Sequence, residues 1–173
     1  MIKIFLTNLG KYTEGISPLA CGKWVDLPCD DLMRELEEIN VKNDTEYEEY
    51  FISDYETDIP EFEIGEHANL DSLNDTATLY DELAESEQLL VQMIMESGER
   101  SELQEAIADR DKFSLTAGIT DEDEAGQELL DLYELPENLD FLRGYIDYEA
   151  YYRDCNQNRG CTLCSKGLLH IYG

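Results

Sequence analysis

The stretch Asp71-Ser72-Leu73-Asn74-Asp75-Thr76-Ala77-Thr78-Leu79-Tyr80-Asp81-Glu82-Leu83-Ala84-Glu85 sorts two kinds of residue by helical angle. Leu73, Ala77, Tyr80 and Ala84 recur on one face, whereas Asp71, Asp75, Glu82 and Glu85 lie on the other. A disordered acidic tract has no core stripe of this kind, so the segment predicts an amphipathic helix in a folded protein. Composition agrees, because 42% of the 173 residues are hydrophobic and 10% aromatic, enough to build packed cores.

Outward from this helix the charge is regional. The whole chain holds 41 Asp and Glu against 12 Lys and Arg, a formal charge of −29. Asn43 to Glu99 contains 18 acidic residues and no Lys or Arg. Nucleic acid and anionic membrane are poor partners for such a chain, since both are polyanions that bind through basic side chains. No run approaches the 18 or more apolar residues of a membrane span, and Ile4, Phe5 and Leu6 are too short for a signal-peptide core. The expected setting is the cytoplasm, with the five cysteines reduced.

The flanks read differently from the middle, which gives an α+β fold of three small domains: residues 1–64, 65–113 and 114–173. In the first, Ile2 to Leu6 and Gly22 to Leu27 are strand candidates, and Pro28 opens a helix carrying Leu32, Leu36 and Ile39. Tyr47 to Tyr55 supplies a third strand, for an order ββαβ. The second domain is helical and acidic: the helix of 71–85, another over 87–97 ended near Gly98, and a third opened by a capping box of Ser101 and Gln104. The third begins with a helix over 121–133, in which Ala125, Leu129, Leu132 and Tyr133 share a face. Pro136 interrupts, a helical stretch carries Leu139, Leu142, Tyr145 and Tyr148, and a hairpin closes the chain between Cys161 and Tyr172. Mutual repulsion of the charges favours an elongated arrangement of the three.

Catalytic chemistry finds little support. There are two histidines, His67 and His170, and no nucleophile elbow, P-loop or dinucleotide fingerprint, so no catalytic residue and no cofactor is assigned. Asp121, Asp123 and Gly126 match three positions of a calcium loop, but Ala125 and Leu132 occupy ligand positions, so no metal is assigned there. Cys155, Cys161 and Cys164 with His170 behind them have two readings: a zinc knuckle of unusual spacing, or thiols that pack as small apolar groups. Tyr145, Tyr148, Tyr151 and Tyr152 fall at helical spacing and read as core or as a dimer seam.

The carboxylate stripes exceed what solubility needs, for which a net charge of about 2 to 8 suffices. Duplex DNA carries one charge per roughly 1.7 Å, so a charge of 29 equals about 49 Å of duplex. Carboxylates at i, i+3 and i+4 stand roughly 5 to 6 Å apart, close enough to imitate a phosphate row.

Three blocks then resemble a known family. They are Ile4-Phe5-Leu6-Thr7-Asn8-Leu9-Gly10-Lys11-Tyr12-Thr13-Glu14-Gly15 with Gly22, Trp24, Leu27 and Pro28 after it, Glu48-Glu49-Tyr50-Phe51-Ile52-Ser53-Asp54-Tyr55-Glu56, and Tyr145-Ile146-Asp147-Tyr148-Glu149-Ala150-Tyr151-Tyr152-Arg153-Asp154. Their order and content resemble the ArdA antirestriction proteins of conjugative plasmids and transposons. The resemblance implies a homodimer, paired through its C-terminal domain, that imitates bent B-form DNA and occupies the DNA groove of type I restriction-modification enzymes without turnover. The central helices match only in acidity, and the cysteine-rich tail departs from the pattern. On this reading the mimic surface comprises Glu46, Glu48, Glu49, Asp54, Glu56, Asp58, Glu61, Glu63, Asp71, Asp75, Asp81, Glu82 and Glu85. Asp121, Glu122, Asp123, Glu124, Glu128, Asp131, Asp147, Glu149 and Asp154 complete it, and the four tyrosines serve dimerisation. Two other classes share the acidity: a generic partner of a basic DNA-binding protein, and a zinc-stabilised regulator.

Overall fold

A computed structural model describes residues 1–42, 45–132, 137–158 and 160–172. Tyr133 and Pro136 lie outside them. The fold is mixed α and β, with two small antiparallel sheets, and the chain forms two compact units, Met1–Gln88 and Leu89–Gly173. The segment read as a central helical domain is shared between them.

The first unit contains β1 (Ile2–Asn8), the short helices α1 (Leu9–Thr13) and α2 (Pro18–Cys21), β2 (Gly22–Leu27), α3 (Leu32–Glu38), β3 (Tyr50–Thr57) and α4 (Leu70–Asp81), with the start of α5 (Glu85–Ser97). The expected ββαβ order is present, and β1 is the central strand of the order β2-β1-β3. Ile2, Ile4 and Leu6 are buried in the core with Leu36, Ile52, Leu70, Leu73, Ala77 and Tyr80. Each large apolar side chain sequestered in this way contributes about 1.5 to 3 kcal/mol. Gly22 is required where Phe5 crosses it, because a Cβ there would stand 2.5 Å from the Phe5 ring.

Helix boundaries in this unit differ from the sequence reading. Helix α3 starts at Leu32, capped by Asp31, rather than at Pro28, because Asn74 takes both backbone groups of Cys29: its Oδ1 accepts from Cys29 N at 2.7 Å and its Nδ2 donates to Cys29 O at 3.0 Å. The amphipathic helix ends at Asp81 instead of running to Glu85, with Gln88 Nε2 donating to the carbonyls of Tyr80 and Leu83, and Ala84 is exposed rather than core. Asn69 caps its start through Ser72 N at 2.9 Å.

The second unit holds the remainder of α5, α6 (Leu103–Ala108), a 3₁₀ turn (Arg110–Lys112), β4 (Phe113–Ala117), α7 (Glu122–Asp131), a 3₁₀ stretch (Glu137–Tyr145), α8 (Tyr148–Gln157), β5 (Cys161–Cys164) and β6 (Gly167–Ile171). The closing hairpin is present, but it belongs to a sheet of order β4-β6-β5, whose strand β4 the sequence reading lacked. The capping box of Ser101 and Gln104 is not formed: Glu102 occupies the N-cap and makes no side-chain cap bond. Leu132 is exposed, while Ala125, Leu129 and Leu130 form the inner face of α7. Helices α7 and α8 cross at Gly126, where an added Cβ would meet Tyr148 O at 2.0 Å. Ala125, Leu129, Tyr152, Cys161 and Leu168 form one cluster there.

Asn8 is fully buried and joins three elements of the first unit: its Oδ1 caps α1 through Lys11 N at 2.9 Å and its Nδ2 donates to Ile39 O at 3.2 Å, beyond α3. Asn8→Ala removes the cap and strands the Ile39 carbonyl, an expected loss of about 2 to 3 kcal/mol. Urea unfolding followed by the fluorescence of Trp24, the only tryptophan, on β2, checks this: the midpoint falls.

Candidate functional site

The expected acidic surface divides into two chemically different sets. In the first unit Glu46, Glu48 and Glu49 lead into β3, Asp54 and Glu56 lie on it, and Asp58, Glu61 and Glu63 follow. Asp71, Asp75 and Asp81 belong to α4, Glu82 is its C-cap and Glu85 opens α5. All thirteen are exposed.

A register shift makes two of these positions possible. Residues of a strand alternate between faces, so regular pairing would put Asp54 and Glu56 on the same side as buried Ile52. The register of β1 on β3 instead jumps from Phe5↔Asp54 to Leu6↔Ile52, leaving Ser53 as an extra residue. Ser53 Oγ and Thr7 Oγ1 are 2.7 Å apart at the irregularity. Beyond it Tyr55 and Thr57 oppose inward-facing Ile4 and Ile2, and both acids turn outward.

Three of the five basic residues of this unit, Lys3, Lys23 and Arg34, are engaged with other acids. Lys23 pairs with Glu35 and with Glu38, the latter at 2.6 Å, Arg34 pairs with Glu38 at 3.4 Å, and Lys3 approaches Asp26 at 3.7 Å. Hydrogen bonds to Glu35, then Glu38, raise the Lys23 pKa, and the bond from Lys23 lowers that of Glu38. Among the described residues, the ion pair made by any of the thirteen acids is that of Asp58 with the Met1 amino group.

In the second unit most of the expected acids have local partners. Asp121 caps α7 through Glu124 N at 2.9 Å, Glu124 accepts from Thr120 N and Oγ1, and Asp123 accepts from Gln127. Asp147 caps α8 through Ala150 N at 3.0 Å. Arg153 on α8 joins Glu122 on α7, with its Nε at 2.8 Å, to Glu149 at 3.0 Å. Arg143 joins Asp131 to Asp140. These carboxylates raise the pKa of both arginines, Glu122 first at Arg153 and Asp131 first at Arg143. Glu128 is half-buried and Asp154 exposed. In the first unit, Glu66 is a further exposed acid of the Lys-free run.

The four tyrosines do not form one stripe. Tyr145 is 85% exposed at the end of the 3₁₀ stretch, whereas Tyr152 is 4% exposed inside its own unit, its hydroxyl accepting from Leu163 N at 2.9 Å. Tyr148 and Tyr151 are half-buried, and Tyr148 donates to Arg143 O at 3.1 Å.

Cys161 and His170 oppose each other across β5 and β6, but the three tail cysteines and His170 do not converge. Among the described residues no group of three His, Cys, Asp or Glu is placed to hold a metal ion. His170 Nε2 is instead 3.0 Å from Thr116 Oγ1, and burial lowers its pKa. Burial pushes the Cys161 and Cys164 thiols up to about 11, with smaller contributions from Cys155 and Glu96 respectively.

The fold and its exposed carboxylates define an acidic α+β protein. The family model of the antirestriction protein ArdA matches residues 4–170, and the chain belongs to that family. Its function is therefore antirestriction, directed at restriction enzymes, and the family is not a known enzyme family. No curated protein matches the chain. None of the helices in the described residues is long and apolar enough to cross a membrane.

The thiols give a prediction with a definite sign. The folded chain holds the Cys161 and Cys164 protons to about pH 11, whereas unfolded thiols titrate near 9. The stability this contributes is complete below pH 9 and is lost as pH rises through 11. At pH 8 the thiolate fraction of each is about 10⁻³. Alkylation with iodoacetamide, read by mass spectrometry, should spare Cys161 and Cys164 in the native chain and modify all five cysteines in urea.

Proposed function

We propose that this protein imitates the phosphate rows of B-form DNA and competes with DNA for the binding groove of type I restriction-modification enzymes, as a homodimer and without turnover. The observation that carries the reading is the set of thirteen exposed carboxylates in the first unit, none paired with Lys or Arg among the described residues. A groove that gains affinity by releasing counterions from phosphates gains similarly by releasing them from carboxylates. The acids of α4 recur at helical spacing, with like charges roughly 5 to 6 Å apart. Glu122, Asp131 and Glu149, paired with arginines, contribute less field than their number suggests.

Pairing through the C-terminal part of the chain is supported by apolar groups left on the surface of the second unit, chiefly Phe141 at 68% exposure and Tyr145 at 85%. Tyr145 suits a seam, and Tyr152 is committed to its own core. The double variant Phe141→Ser with Tyr145→Ser should shift the chain from dimer toward monomer in sedimentation equilibrium, raising the dissociation constant by about tenfold or more. An unchanged mass distribution places the seam elsewhere.

The mimicry is tested by DNA competition on a purified type I enzyme. Single acid-to-amide changes should have little effect, because the field is shared. Reversing Asp71, Asp75, Glu82 and Glu85 to Lys should weaken competition by about tenfold or more at low salt, with a shallower salt dependence than wild type. If the quadruple variant displaces DNA as well as wild type, this part of the surface is not the mimic.

A further inference from the structure

The first unit contains a cavity of about 490 Å³ that a pure phosphate imitation does not need. Its floor is apolar, made of buried Leu36, Val41 and Leu70, and Met33 stands at its mouth with 58% exposure. Its rim is acidic. Glu37, Glu48 and Asp71 are exposed around it, with Lys42 the cation among its lining residues. Tyr50 forms a half-buried wall, its hydroxyl pKa raised by burial first and by the charge of Asp71 second, so the acid field reaches into the cavity. Helix α3 provides one side and the start of α4 the other.

An apolar well ringed by carboxylates is complementary to a side chain with a hydrocarbon stem and a cationic head. We infer that this cavity receives an arginine side chain from the DNA-contacting surface of the restriction enzyme. Arginine fits better than lysine, since its planar, weakly hydrated guanidinium stacks on the flat surface of Tyr50 while its fork meets two rim carboxylates, Glu48 and Asp71. A lysine ammonium keeps its water more strongly and gains less from such walls. The phosphate rows of DNA form no apolar well of this kind, so the cavity adds an anchor for one side chain to a surface that otherwise acts through a diffuse field. The inference rests on the mimicry reading for the identity of the partner.

The test uses the whole chain and a small probe, N-acetyl-arginine methylamide, followed through the methyl NMR signals of Leu36, Val41 and Leu70. A saturable shift with a dissociation constant in the millimolar range is expected. Binding should be about fivefold weaker in Glu48→Gln with Asp71→Asn, two isosteric changes at exposed positions that leave the core intact. No saturable shift, equal binding of the uncharged norleucine analogue, or equal binding by the double variant overturns the assignment. A parallel DNA-competition assay on wild type separates the two readings: DNA displaced without probe binding removes the cavity's role and leaves mimicry standing. DNA not displaced removes mimicry, and with it the enzyme as the source of the arginine, whatever the probe does.

Discussion

Carboxylates gathered on one surface repel each other, and the first unit depends on holding that repulsion against a dry interior. Each like-charged pair one helical turn apart costs about 0.2 to 0.5 kcal/mol. Burying Leu70, Leu73 and Tyr80 on the opposite face of α4 contributes about 1.5 kcal/mol or more apiece, so burial prevails. This is why the acids occupy faces of regular elements whose other faces are packed, rather than a loose tail. The same balance explains the polar clasps. Asn74 on Cys29 and Gln88 on the end of α4 fix the helix by hydrogen bonds that add no charge to the field.

The two units manage charge in different ways. In the first, Lys3, Lys23 and Arg34 pair with Asp26, Glu35 and Glu38. In the second, Arg153 is fixed between Glu122 and Glu149 and Arg143 between Asp131 and Asp140, while Asp121 and Asp147 cap α7 and α8. Arg153 ties α7 to α8 beside the Gly126 crossing, where two backbones come too close for any side chain between them. Single exposed ion pairs are weak, usually below about 1 kcal/mol, but a cation shared by two carboxylates on different helices also removes part of their repulsion. Acidity in the second unit therefore supports its own packing to a degree that it does not in the first.

Much of this was legible in the chain. The alternation of Ile2, Ile4 and Leu6, the apolar stripe of Leu73, Ala77 and Tyr80, and the turn glycines of the tail each report a local period, and the α+β fold follows from them. What stayed hidden depends on partners distant in sequence. Strand β4 pairs with β6 more than fifty residues later, so Phe113 to Ala117 shows no hairpin of its own. The links of Arg153 to Glu122 and of Asn74 to Cys29 span 31 and 45 positions. The slip at Ser53 was invisible because strict alternation of Ile52, Asp54 and Glu56 reads as one face, and only the pairing with β1 divides it. The cavity between α3 and α4 likewise gathers Glu48 and Asp71 from separate segments.

On the proposed reading, the slip at Ser53 and the cavity answer one physical problem in different ways. A diffuse field draws any basic groove, and its strength depends on how many carboxylates face outward, so the one slip that turns Asp54 and Glu56 to the surface adds two charges to it. Attraction of that kind is long-ranged, salt-sensitive and indifferent to detail. A well that desolvates one guanidinium acts only at contact, and its apolar part persists at salt concentrations that screen the field. A protein that must outcompete DNA gains from having both. The field brings the enzyme's groove into register at any orientation that matches sign, and the contact term lengthens the life of the one orientation that seats the side chain.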